Sequence, residues 1–134
     1  QKSSPTLDSS MRDAQHADHL AAVVGSSADA IISQSLDGLI LSWNPAAERL
    51  FGYASKDVLR RSVNLLVPDD RRHEFESELD YVRRGEPMPN VETLRRHQDG
   101  RLIPVALSVA PMIGEDGRVL GAVKVVRDLS ERAR

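Results

Sequence analysis

The stretch Ser42-Trp43-Asn44-Pro45-Ala46-Ala47-Glu48-Arg49-Leu50-Phe51-Gly52-Tyr53 constrains this chain more than any other, because it holds a strand end, a helix start and a helix stop within twelve residues. Asn44 is a strong N-cap: its side-chain oxygen can accept from the amide of Ala46 or Ala47, which would otherwise lack a partner. Pro45 suits the first helical position, where no donor is needed, and Gly52 supplies the stop. Ahead of the cap, Asp37-Gly38 is a turn signal and Leu39-Ile40-Leu41-Ser42-Trp43 a short apolar strand. A hairpin strand therefore feeds directly into a helix of one to two turns.

A chain of 134 residues is long enough for one real core and too short for two. With 40% hydrophobic and 28% charged residues and a net charge of -2, its composition is globular and gives no general pull toward nucleic acid or anionic membrane. The absence of cysteine excludes disulfides, thiolate metal sites and thiol nucleophiles, and fits a reducing cytoplasm. No apolar run approaches the roughly 20 residues of a membrane span, and no basic-then-apolar start resembles a signal peptide. Starting at Gln1 and stopping at Arg134, the sequence reads as a piece of a longer protein.

Residues 1–13 are polar and Ser-rich with Pro5, and read as a disordered or expression-derived tail. Residues 14–27 favour an amphipathic N-terminal helix with Ala17, Leu20, Ala21 and Val24 on one side. Its narrow stripe has two uses, packing on its own domain or pairing with a second copy, and both stay open. Residues 28–129 carry the domain. Ala30-Ile31-Ile32-Ser33-Gln34 is a first strand that Leu36-Asp37-Gly38-Leu39 turns into the second. After the anchor helix, Ser55-Lys56-Asp57-Val58-Leu59 and Ser62-Val63-Asn64-Leu65-Leu66 each read as a helical turn opened by a serine cap. Pro68-Asp69-Asp70 opens a longer helix, on which Phe75, Leu79 and Val82 recur on a buried face, and Arg83-Arg84-Gly85 closes it. Three strands follow: Val91 to Arg96, Leu102 to Val109 across Asp99-Gly100, and Val119 to Arg127 across the turn at Glu115-Asp116-Gly117-Arg118. Two strands, a block of helices and three more strands predict an α+β fold with one antiparallel sheet and helices on one face. Residues 130–134 follow the last strand.

The sequence offers little to catalysis: it has no cysteine, no glycine-framed serine elbow and no phosphate-cradling glycine loop, so the domain is read as non-enzymatic. The histidines His16, His19, His73 and His97 form no tight metal-ligand pattern; His16 and His19 are i, i+3 without nearby partners. The arginine pairs Arg60-Arg61, Arg71-Arg72, Arg83-Arg84 and Arg95-Arg96 are spaced through acids without interleaved aromatics, and are assigned to solvated faces and helix ends rather than nucleic acid. Trp43 is assigned to strand packing rather than to stacking on a ligand.

Asp37-Gly38, Trp43 through Tyr53, Arg96-His97-Gln98-Asp99-Gly100 and the closing Asp128-Leu129-Ser130-Glu131-Arg132 together resemble the PAS domains of bacterial sensors, as found in sensor histidine kinases and diguanylate cyclases or phosphodiesterases. The resemblance covers roughly residues 28 to 132 and implies a five-stranded antiparallel PAS sheet cupping a small cavity, a homodimer formed through the N-terminal helix and the sheet, and control of a covalently attached output domain. The cavity-side candidates are Ile32, Ile40, Leu50, Phe51, Leu66, Phe75, Leu79, Leu107, Val109 and Val125, mostly large and apolar, which suits a self-filled core. Convergent polar donors for a ligand are not evident in the pattern. Asn44 is the structural cap, while Asp128 and Ser130 sit where the family's last strand hands over to the output linker helix, whose start the resemblance places at residues 130–134, and can bond local backbone there.

Related oxygen-sensing PAS domains hold haem through a histidine in an Arg-His-X-His run on the long helix. Here that run reads Arg72-His73-Glu74-Phe75, with Phe75 at the ligating position and His73 about 200° away around the helix. Haem is not expected, and the cysteines that light-sensing and cinnamoyl-type relatives require are missing, so no cofactor is assigned although a small-molecule ligand stays open. The function implied is a cytoplasmic signalling module that relays a ligand or dimer-geometry state to a C-terminal output. The alternatives are a structural dimerisation module with a self-filled core and, less favoured, a haem-binding gas sensor.

Overall fold

The computed structural model describes residues 28–130. The tail at 1–13, the N-terminal helix expected over 14–27 and all of the linker helix beyond residue 130 lie outside the described residues. The elements run β1 (Ala30–Ser35), β2 (Ile40–Trp43), α1 (Pro45–Phe51), α2 (Ser55–Val58), two 3-10 turns (Val63–Leu66 and Asp69–Arg71), α3 (Arg72–Arg83), β3 (Met88–Arg96), β4 (Leu102–Ile113) and β5 (Val119–Asp128). The five strands make one sheet in the order β2-β1-β5-β4-β3. Every neighbouring pair is antiparallel. This is the α+β arrangement expected from the sequence, with the helices between β2 and β3.

The anchor stretch folds as its residues dictate, and more tightly than a simple cap. Asn44 Oδ1 accepts from Ala47 N at 2.9 Å and from Ile31 N at 3.0 Å, and Asn44 Nδ2 donates to the Asp29 carbonyl at 3.1 Å. One side chain thus starts α1 and ties it to the start of β1. Gly52 ends the helix at φ 83°, in the left-handed region, and its amide donates to the Glu48 carbonyl. Trp43 packs on Phe51 and Tyr53, with ring centroids 5.7 and 6.5 Å away, and its Nε1 donates to the Tyr53 carbonyl at 3.1 Å. Its apolar body is buried and its one polar atom satisfied.

Two local expectations change. Ser55 does not cap α2: Ala54 holds that position without a side-chain bond, and the Ser55 amide donates to Glu48 Oε2 at 2.7 Å, so the preceding helix supplies the acceptor. Ser62 does act as a cap, accepting from Asn64 N at 3.1 Å. The long helix does not open at Pro68; a 3-10 turn over Asp69–Arg71 comes first and α3 begins at Arg72, a frequent way for a helix to tighten its first turn.

The core lies between the helices and the inner face of the sheet, where Ile32, Phe51, Val63, Phe75, Val105 and Leu107 belong to one buried cluster. No helix among the described residues is long and apolar enough to cross a membrane.

Candidate functional site

Strand periodicity sets which side chains face the helices. In register across the three central strands, Ile32 of β1 sits beside Lys124 of β5, and Lys124 beside Val109 of β4. One step along, Ala30, Val126 and Leu107 form the next inward row. Between these rows and the helices is a void of about 10 Å³, room for about one water. Its walls are mostly apolar, among them Ile32, Phe51, Leu66, Leu107 and Val126. Two cations also line it, Arg95 and Lys124.

Both cations are buried, and each has a carboxylate partner on α3. Lys124 Nζ lies 2.9 Å from Glu78 Oε2 of α3, an ion pair by distance whose angles fall short of a good hydrogen bond. Burial pushes the Lys124 ammonium below its ordinary value, Glu78 pulling against that and Arg95 adding to it. Arg95 Nη1 donates to Glu74 Oε1 at 2.8 Å and to the Leu94 carbonyl at 2.8 Å. Glu74 also receives Thr93 Oγ1 at 2.8 Å and Arg71 Nη1 at 3.0 Å. Burial raises the Glu74 carboxyl, but the hydrogen bonds from Arg95, Thr93 and Arg71 outweigh it and hold the group below its usual range. Gln34, the next inward position on β1 after Ile32, is fully buried with neither amide atom hydrogen-bonded.

The sequence-derived candidates fall out unevenly. Ile32, Phe51, Leu66 and Leu107 line the void. Ile40, Phe75, Leu79 and Val109 are buried in the same core without lining it, and Leu50 packs on that core half-buried. Val125 is corrected: it lies on the opposite face of the sheet, packed with Ile31 and Val123. Successive strand residues alternate faces, so Lys124 and Val126 pointing inward place Val125 outward. Arg95 is corrected too, since it is buried in the interior rather than on a solvated face.

Lys124, Glu78, Gln34 and Arg95 were absent from the candidates, yet each is buried. Glu78 completes the stripe Phe75, Leu79, Val82 at i+3, and Lys124 sits between Ala122 and Val126 in strand phase. A polar residue in a core phase was the available signal for Glu78 and Gln34; β5 is apolar on both faces, so Lys124 carried no such signal.

The remaining residues of interest sit at the periphery. His73 is exposed on α3 while Phe75 is buried, so the only histidine on that helix faces away from the interior. With Phe75 buried where the haem-binding run has its second histidine, α3 presents no histidine to the interior. At the far end of β5, Asp128 Oδ1 accepts from Ser130 N at 2.8 Å, and the Leu129 amide donates to the Pro104 carbonyl of β4 at 2.9 Å.

A single antiparallel sheet cupped around a small, partly charged interior, with helices between its second and third strands, is the architecture of a small α+β domain. The PAS fold matches residues 18–129, and the chain belongs to the PAS family. It is 30% identical over 118 residues to the sensor protein FixL of Bradyrhizobium diazoefficiens, a match covering 84% of this chain and 23% of that protein. The chain therefore spans less than a quarter of that relative's length. The PAS domain of a Colwellia psychrerythraea protein superposes with a TM-score of 0.73 at 28% identity, covering 87% of this chain and 99% of the other. A domain of the sensory box sensor histidine kinase/response regulator from Geobacter sulfurreducens gives 0.65 at 22% identity, covering 84% of this chain and 94% of the other, and shares the fold.

Proposed function

We propose that this chain is the sensory or regulatory module of a larger cytoplasmic bacterial signalling protein, relaying a ligand or dimer-geometry state to a C-terminal output domain, with no catalytic step of its own. The observation that carries this reading is the position of Lys124. It contacts the interior and the helix α3, and it stands on the strand that ends at Asp128 and leads out of the domain. A change in the Lys124–Glu78 contact would strain β5, and Asp128 and Ser130 would pass that strain to the segment that follows. Pairing of two copies through the N-terminal segment and the sheet is part of this reading; on the sheet's outer face Ile31 and Val123 are already buried and Val125 is half-buried.

The near-filled interior favours a second reading, a dimerisation module whose core senses nothing. Native mass spectrometry beside a visible absorption spectrum, on the chain purified without added cofactor, separates the two. Co-purifying mass supports the ligand sensor, and a Soret or flavin band would overturn the absence of a prosthetic group. A bare dimer whose exit segment keeps one geometry under every condition tried would leave the structural module.

A further inference from the structure

We infer that the interior is a binding site for the carboxylate of a short monocarboxylic acid, held between Lys124 and Arg95 with its alkyl end against Ile32, Phe51 and Val126. The inference deepens the sensory reading and rests on it for its consequence, but not for its chemistry. Three observations carry it. First, the polar groups that line the void are both cations, so the void presents N–H donors and asks for an acceptor. Second, Arg71 and Arg95 share the single carboxylate of Glu74, while Lys124 and Glu78 balance each other, so the Arg95 side of the void carries more cation than carboxylate. Third, each cation uses only part of its donor capacity. Lys124 has Glu78 as its partner, and Arg95 spends Nη1 on Glu74 and Leu94, leaving the rest of the guanidinium to meet a planar carboxylate.

The void holds about one water, so the carboxylate takes the water's place and the alkyl group must be short, entering as the apolar walls give way. A longer or doubly charged acid would bury a second charge without a partner. Binding draws Lys124 toward the ligand and away from Glu78, which loosens the contact between α3 and β5.

The test is titration of the full 134-residue chain with acetate, propionate, chloride and propionamide at fixed ionic strength, followed by amide chemical shifts and thermal melts. The expected result is saturable movement of the Lys124 and Val126 amides and a raised melting temperature with propionate, more than with chloride and absent with propionamide. Removing one charged partner strands the other, so the variant is the double Lys124→Met/Glu78→Leu, which keeps a packed interior. It should melt cooperatively and bind propionate at least about tenfold more weakly, the worth of a charge-assisted hydrogen bond. Equal responses to propionate and propionamide, equal responses to propionate and chloride, no saturable response at all, or undiminished binding by the folded double variant would each overturn the site. Shifts at Asp128 to Ser130 report separately: movement in the interior without movement at the exit leaves the carboxylate site standing and removes the relay.

Discussion

Replacing Asn44 by alanine should cost far more than a helix cap. A surface cap is worth about 1 kcal/mol. Here the same Oδ1 also accepts from the Ile31 amide, on a residue 3% exposed, and leaving a buried donor unpartnered costs about 1–3 kcal/mol. The Nδ2 bond to the Asp29 carbonyl adds about 0.5–1.5 kcal/mol. Because Asn44 is half-buried, water recovers part of this, and about 3 kcal/mol is the expected loss. For a domain of this size each kcal/mol moves the melting temperature by about 4–8 °C, so the midpoint should fall by more than about 10 °C. Chemical denaturation at constant m-value measures it directly. Asn44→Asp keeps the Oδ1 acceptor and loses the donor to Asp29, so it should cost about 1 kcal/mol. A loss below about 1 kcal/mol for Asn44→Ala would show that the bonds to β1 contribute nothing. Equal losses for the two variants would show that Oδ1 is not what holds the helix to the strand.

Three further outcomes follow from the same geometry. Lys124→Met alone leaves Glu78 buried without its cation and should destabilise by about 3–5 kcal/mol, while adding Glu78→Leu should recover most of that in urea melts. Gly52→Ala forces a side chain into the left-handed region and places its Cβ 2.5 Å from His97 Cε1, so a loss of at least about 1–2 kcal/mol is expected, and an unchanged melt would place His97 elsewhere. Glu74, held below its ordinary 4.5, is charged in the folded protein at acidities where the unfolded chain is already protonated. Its contribution is therefore complete above the unfolded value and lost as pH falls through the lower folded one, and Glu74→Gln should flatten the acid limb of a stability-pH profile.

How much was legible in the sequence depended on whether a residue's chemistry agreed with its phase. The anchor helix, the Asp-Gly turns and the three-strand meander were legible because cap, proline, glycine and apolar alternation all point one way. The boundaries at Ser55 and Pro68 were not, since Glu48 replaces a serine cap from seven residues away and a 3-10 turn precedes α3. The site was half legible. Its apolar walls followed from periodicity, but β5 carries apolar residues on both faces, with Val123 and Val125 outward and Ala122 and Val126 inward, so its apolar pattern has no phase of its own. Assuming that a lysine faces water sets the phase of β5 backward, sending Val125 in and Lys124 out. The paired arginines hid Arg95 in the same way, because solvated arginines at a strand end are the common case.

The same charged pair bears on the proposed role of the interior. A buried ion pair is weak evidence for stability, since apolar residues of similar volume would pack as well or better. Lys124 and Glu78 are thus not explained by the need to hold α3 on the sheet, which Phe75, Leu79 and Val82 already do. What the charged pair adds over a leucine pair is a contact that a second charge can loosen. It sits on the central strand whose far end meets Asp128, while the neighbouring Gln34 carries an amide with no partner. Packing alone gives no reason for either group there. The placement makes physical sense for a domain whose two arrangements differ by the occupancy of one small polar site.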